Sequence, residues 1–333
     1  MAIDHAAFVN ITLRKPEPSI SDLLAELVPP REFTEARLAN YVPHAEYPSQ
    51  QHALDRARVF LGASGAKKLF RRETPPPGVY LDGGFGVGKT HLLAGIWHEF
   101  RGAKAFGSFI AYTSLIGAIG FAGAVEALGK FQLLCIDEFE LDDPGDTMMM
   151  SRLLNELAPK GVRFAATSNT PPNALGEGRF AAADFQREIL GISNQFEMVR
   201  IDGEDHRHRP VTLEPVSTTQ FELETWLQSL DSTETGIVDF GALLKHLSTI
   251  HPSRYGFLLE ALGALAIESV HQLDDQVDAL RFVAFIDRAY EAQVAILATG
   301  HPLTDVFAPK YLSGGYRKKY LRAVSRIGAL TSA

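Results

Sequence analysis

Cysteine is nearly absent: Cys135 stands alone among 333 residues, so no internal disulfide braces the chain. Its neighbours Leu133, Leu134 and Ile136 mark it as a small core residue rather than a nucleophile. Long hydrophobic runs are absent too. The longest, residues 115–125 and 257–267, fall well short of the ~18–20 residues that span a bilayer. The opening Met1-Ala2-Ile3-Asp4-His5 lacks the basic stretch and apolar core of a signal peptide. The expectation is a cytoplasmic protein without a transmembrane segment. Basic excess is also missing. With 32 Lys and Arg against 40 Asp and Glu, the net charge of −8 argues against broad binding to nucleic-acid backbones. There is no helix-turn-helix tail, so direct sequence-specific contact with nucleic acid is not expected. What is present is ordinary for a globular protein: 46% hydrophobic and 22% charged residues. The length suits two domains of roughly 150 residues each, or one large one.

The most informative stretch is Val79-Tyr80-Leu81-Asp82-Gly83-Gly84-Phe85-Gly86-Val87-Gly88-Lys89-Thr90-His91. Val79 to Leu81 read as the end of a buried strand. From Gly83 the chain follows G-x-x-x-x-G-K-T, and beyond it Leu92, Leu93, Ile96, Trp97 and Phe100 fall at helical spacing. Strand, glycine loop and helix together make a phosphate-binding loop. Glycines let successive backbone N–H groups converge on one anion, and the helix N-terminus adds partial positive charge. Residues Gly83 to His91 are therefore the expected segment that binds a nucleoside triphosphate. Lys89 reaches the β- and γ-phosphates, and the Thr90 hydroxyl holds Mg²⁺.

A second apolar run, residues 131–136, ends in Asp137 and Glu138, forty-eight residues beyond Lys89. Asp137 at this place organises Mg²⁺, and Glu138 polarises the attacking water. A third strand, Val162 to Thr167, delivers Asn169 to a turn beside the Asp137 strand, within reach of that water. Arg179 follows two glycines, either as solvated surface or as an arginine that completes a neighbour's site. The cluster Asp205-His206-Arg207-His208-Arg209 has no metal-type spacing and reads as a phosphate-facing or interface turn.

Around this core, residues 1–50 form an N-terminal arm, either a wall for the adenine or a solvent-exposed extension. Ser21 opens a short helix carrying Leu23, Leu24 and Leu27, and another helix runs from Tyr47-Pro48 to about Leu61. After the loop helix, Ala105 to Tyr112 reads as a strand, with Thr113 or Ser114 capping a helix that reaches Leu128. Shifting the chain by 131 residues lays Ile136-Asp137-Glu138 on Ile267-Glu268-Ser269, Ala165-Ala166-Thr167 on Ile296-Leu297-Ala298, and Lys89 on Gln220. This is either a second copy of the α/β unit without its chemistry or shared periodicity alone. Arg317, Lys318, Lys319, Arg322 and Arg326 on the last helix sense nucleotide, bind an acidic partner or form a solvated face.

The segments YLDGGFGVGKTHLL, LLCIDEFELDDPGDTM, FAATSNTPPNAL, the GRF at Arg179, GEDHRHR and RFVAFIDRAYE…YLRAVSRI together resemble the AAA+ superfamily, and within it the ZapE and AFG-type ATPases. The resemblance covers about Tyr47 to Ile327. It implies an AAA+ P-loop NTPase: a three-layer α/β domain over residues 51–215, and a smaller, non-catalytic C-terminal α/β domain over residues 216–333 that lacks a P-loop. It makes Lys89 and Thr90 the Walker A pair, Asp137 and Glu138 Walker B, Asn169 sensor 1, and Arg179 the finger acting in trans within an ATP-dependent homo-oligomer. Two departures stand out. Phe109 to Ser114 replaces a histidine-rich segment, and no proline follows Arg179-Phe180. The implied activity is ATP hydrolysis coupled to a protein client, such as the division machinery. The alternatives are an ATP-switched loader or adaptor for a nucleic-acid enzyme, or a membrane protein quality-control factor.

Overall fold

The apolar runs read from the sequence become strands β1 (Gly78–Gly83), β2 (Lys104–Ser108), β3 (Leu133–Asp137), β4 (Arg163–Ser168) and β5 (Glu197–Ile201). In this computed structural model they pair in parallel, in the order β2-β3-β4-β1-β5. Residues 5–62, 78–84, 86–139, 144–169, 195–204, 218–313 and 316–331 are described. They fall into two units, Ile20–Pro210 and Met1–Ser19 with Val211–Ala333. The 50 residues read as one arm are thus shared between the units.

In the first unit β1 is buried along its whole length, as a strand with two parallel neighbours and both faces covered must be. Helices α1 (Ile20–Ala25), α2 (Pro48–Leu61), α3 (Lys89–Glu99), α4 (Phe109–Ile119), α5 (Phe121–Leu128) and α6 (Pro144–Leu157) accompany the sheet. Alternate strand residues face opposite sides. Val79, Leu81, Cys135, Ala165 and Val199 pack with Leu54 and Phe60 of α2 and Leu92, Leu93 and Ile96 of α3. The other face carries Tyr80, Phe164 and Phe196: Tyr80 and Phe196 meet Phe139, Phe164 meets Phe196, and Phe139 meets Phe109 of α4 edge-on. Sheet between two helical layers is the expected three-layer architecture.

One local expectation is corrected. The second strand stops at Ser108, because the Ser108 hydroxyl accepts a hydrogen bond from the Ala111 N–H and starts a helix there. Phe109, Tyr112, Leu115 and Ile116 then bury at helical spacing, which outweighs their strand preference. The helix expected to reach Leu128 breaks at Gly120 (φ 77°), where α4 and α5 meet at 119°. Among the described residues no single helix is long and apolar enough to cross a membrane.

The second unit holds a parallel sheet of β6 (Thr235–Asp239), β7 (Ala264–Val270) and β8 (Ala295–Gly300), in that order. Its longer helices are α7 (Gln220–Gln228), α8 (Phe240–Leu247), α9 (Gln276–Glu291) and α10 (Arg317–Thr331). Phe240, Leu265, Ile267, Phe282, Phe285, Tyr320 and Ile327 share one core, while Leu223, Leu227, Ile237 and Ala266 share the opposite face. Val9 extends the sheet beyond β6: its N–H donates to Thr235 O (2.9 Å), and Ile237 N–H donates to Val9 O (3.1 Å).

Moved 131 residues along the chain, every β2–β3 pair from Lys104↔Leu133 to Ser108↔Asp137 lands on the β6–β7 pairs Thr235↔Ala264 to Asp239↔Glu268. The helix cap follows, with Asp239 accepting from Ala242 N–H at 2.9 Å as Ser108 accepts from Ala111. For the next strand the shift is 132: Ile136↔Ala166 corresponds to Ile267↔Ala298. Thr167 therefore matches Thr299, one residue beyond the match expected from the sequence. Shared periodicity alone does not reproduce register and cap together, so the second-copy reading is the one the structure supports.

Candidate functional site

The site is built where β1, β3 and β4 end. A crevice at the carboxyl ends of parallel strands is where α/β sheets bind ligands. β1 ends at Gly83, where a Cβ would collide with the Ile201 carbonyl of the adjacent strand. The loop closes at Gly88, whose φ of 85° suits glycine, and a Cβ there would lie 2.6 Å from the Tyr41 ring. Helix α3 starts at Lys89 with no side-chain cap, so its first amides face the loop.

Lys89 is buried, and its ammonium donates to Gly83 O (3.0 Å), to Gly84 O and to Asn169 Oδ1 (3.0 Å). The Thr90 hydroxyl donates to Asp137 Oδ1 at 3.3 Å. Four residues picked from three separate segments thus converge. Burial, then the neighbouring Glu138 charge, pushes the Asp137 carboxyl up from 3.8 to about 6, while hydrogen bonds from Thr167 and Thr90 pull the other way. Glu138 directly follows β3 with φ 51°, a left-handed backbone unusual for a residue with a side chain. Two hydroxyl and carboxylate oxygens beside a phosphate loop are a hard donor set of the kind Mg²⁺ takes, with phosphate and water completing the shell.

The remaining sequence candidates are placed as follows. His91 turns its ring to Arg37 O (3.1 Å) and Asn40 Oδ1 (2.8 Å), so its side chain anchors residues 37–40 rather than the loop. Gly86 and Val87 lie in the loop, and Val87 O accepts from the Tyr41 hydroxyl at 3.0 Å. Phe85, Arg179 and the 205–209 cluster lie outside the described residues. Arg322 and Arg326 do not form a solvated face. Both bind the buried carboxylate of Asp287 within the second unit, Arg322 at 2.9 Å. Cys135 is fully buried, and burial pushes its thiol well above the usual range, as suits an inert core residue.

Sequence reasoning missed three contributors. Tyr41, Leu38 and Ala36 are buried against the loop helix, so this part of the N-terminal segment is not a solvent-exposed extension. Arg200 on β5 grips Asp82 of the loop strand at 3.0 Å. Thr167 donates to Asp137 Oδ1 and accepts from the Glu138 N–H at 3.1 Å. Its signal was a polar residue at a fully buried position of an apolar strand.

The sequence profile of the AFG1-like ATPase family matches residues 18–231 and 218–333. The chain belongs to that family. The cell division protein ZapE of Escherichia coli K12 is 29% identical over 203 residues, 57% of this chain and 52% of that protein. Lactation elevated protein 1 homolog B of Danio rerio is 30% identical over 160 residues, covering 40% and 31%. The chain spans about half the length of the ZapE sequences it matches. Domain III of the Thermotoga maritima replication initiation protein DnaA superposes with a TM-score of 0.39 at 14% identity, covering 78% of this chain and 87% of that one.

Proposed function

We propose that the chain hydrolyses ATP at the crevice formed by β1, β3 and β4 and passes the resulting change to a protein client. The observation that carries this is the convergence of Lys89 with Asn169, and of Thr90 with Asp137, on a glycine loop at a helix N-terminus. Lys89 and the loop amides bind the β- and γ-phosphates. Thr90 and Asp137 would hold Mg²⁺, which when bound neutralises charge on those phosphates. Glu138 takes a proton from the attacking water as its oxygen bonds to the γ-phosphorus in line with the departing ADP oxygen. Asn169 orients that water. The products are ADP and inorganic phosphate.

The matched relative named for cell division makes a client in that process the reading of first choice. Lys89→Ala should abolish ATP binding or hydrolysis, whereas Glu138→Gln should bind ATP and hydrolyse it ~10²–10⁴-fold more slowly. Calorimetry on Glu138→Gln should give one ATP per chain, and the arrested protein should retain its client in a pull-down. Wild-type turnover by Glu138→Gln, or two equivalents of ATP, refutes the assignment.

A further inference from the structure

We infer that Thr167 is the positioning residue for the Glu138 carboxylate, one hydroxyl fixing the backbone of Glu138 and the side chain of Asp137 together. The inference rests on the proposed roles of those two carboxylates. Glu138 must leave β3 in a left-handed conformation, φ 51°. For a residue with a Cβ this conformation is strained, so something must hold it there.

Two bonds from one residue do so. The Glu138 N–H donates to Thr167 Oγ1 at 3.1 Å, and the Phe139 N–H donates to Thr167 O at 2.7 Å. Together they offset the conformational cost. Phe139, fully buried against Tyr80, Phe109 and Phe196, anchors the far side of the turn.

The hydroxyl's single proton is committed elsewhere: it goes to Asp137 Oδ1, which also accepts from Thr90. A threonine hydroxyl has one donor and two lone pairs, so donating to Asp137 and accepting from Glu138 are compatible. Thr167 itself is 2% exposed, which leaves solvent no part in the arrangement. The Glu138 side chain is therefore aimed by a backbone turn clamped to β4, the strand that also delivers Asn169. Water-orienting and proton-accepting groups are set by one strand end.

The test is a series at position 167. Thr167→Val keeps the shape but removes both hydroxyl bonds, and Thr167→Ser keeps the hydroxyl. Thr167→Val should lower kcat ~10–100-fold with ATP affinity near wild type, and Thr167→Ser should recover most of that loss. Without nucleotide, hydrogen–deuterium exchange at the Glu138 amide should rise in Thr167→Val and not in Thr167→Ser. Thr167→Val should slow the Glu138→Gln protein by much less than it slows wild type, since most of the threonine's effect passes through that carboxylate. If Thr167→Val unfolds, Thr167→Ala against Thr167→Ser repeats the comparison. Wild-type kcat in Thr167→Val beside a slow Glu138→Gln, or losses that multiply, overturns the inference alone. A Glu138→Gln protein as fast as wild type overturns the underlying catalytic assignment instead.

Discussion

Arg322 and Arg326 are the residues for which sequence and structure make opposite predictions, and a single set of variants separates them. On α10 they sit one turn apart and both reach Asp287 of α9, which is 6% exposed. The guanidinium side chains are themselves only 18% and 15% exposed. Burial alone would raise the Asp287 carboxyl, but Arg322 and Arg326 outweigh it and hold it below the usual range. Asp287→Ala leaves two largely desolvated cations without that carboxylate, an expected loss of ~3–5 kcal/mol. Arg326→Ala leaves Asp287 bound to Arg322, so the loss should be smaller, ~1.5–3 kcal/mol for one charged hydrogen bond.

The two tryptophans make the assay specific. Trp97 lies in the first unit and Trp226 in the second. In a Trp97→Phe background, urea unfolding followed by Trp226 fluorescence reports the unit that holds the triad. Because the folded Asp287 pKa is depressed, its contribution is present above the unfolded value of ~3.9 and is lost as pH falls through the folded one. The gap between wild type and Asp287→Asn should therefore be flat from neutral pH down to ~5 and close below ~4. ATP affinity should not change in Arg326→Ala. Weakened ATP binding with an unaltered urea midpoint would refute the structural role and restore nucleotide sensing.

Two further outcomes follow from single residues. The Asp137 carboxyl is raised from 3.8 to about 6, so its ionisation penalises the fold. Stability is fullest below the unfolded pKa and is lost as pH rises through about 6. In nucleotide- and magnesium-free buffer Asp137→Asn should thus melt higher than wild type at pH 8, by up to ~3 kcal/mol, and no higher at pH 4; equal gaps at both pH values would refute this. Ser269, exposed at φ 59°, carries the same backbone cost as Glu138. Ser269→Gly should stabilise the second unit by ~0.5–1 kcal/mol in the Trp226 assay, and a loss would show that the serine side chain stabilises that turn.

What was legible in the sequence was what short-range rules control. The loop from Gly83 to Thr90, the ends of β1 and β3, and the buried position of Cys135 follow from apolar runs, glycine spacing and strand termination. The start of α4 was missed because Phe106, Phe109, Ile110 and Tyr112 favour strands, and only the Ser108 cap reveals the break. The Asp287 triad was missed for a different reason. Its members are 35 and 39 residues apart, on helices whose facing sides are set by packing. The sequence hint was an aspartate inside the apolar pattern Phe282, Phe285, Ile286, Ala289, where a charge must find a partner. The turn at Glu138 was invisible, since neither Asp-Glu-Phe nor its neighbours contain a glycine to announce a positive φ.

The second copy shows which part of the first makes a nucleotide site. β6 and β7 keep the register of β2 and β3, Asp239 keeps the cap, Ser269 keeps the left-handed turn of Glu138, and Leu223 and Leu227 of α7 bury as Leu92 and Ile96 of α3 do. Among the described residues the counterpart of β1 is the parallel bridge Thr218↔Thr299, which matches Leu81↔Thr167. From Leu81 to Lys89 the chain has eight steps before the helix is under way; from Thr218 to Gln220 it has two. The six residues missing are the glycine loop. Thr219 fills the helix start with a capping box, its hydroxyl taking the Glu222 N–H while Glu222 takes its own. The capping box closes this helix start with side chains, whereas α3 has no side-chain cap, and the Gln220 amide faces Glu268 at 3.3 Å instead of a phosphate. Restoring a lysine at Gln220 would therefore not restore binding, because the anion-binding amides belong to the absent loop and not to the side chain.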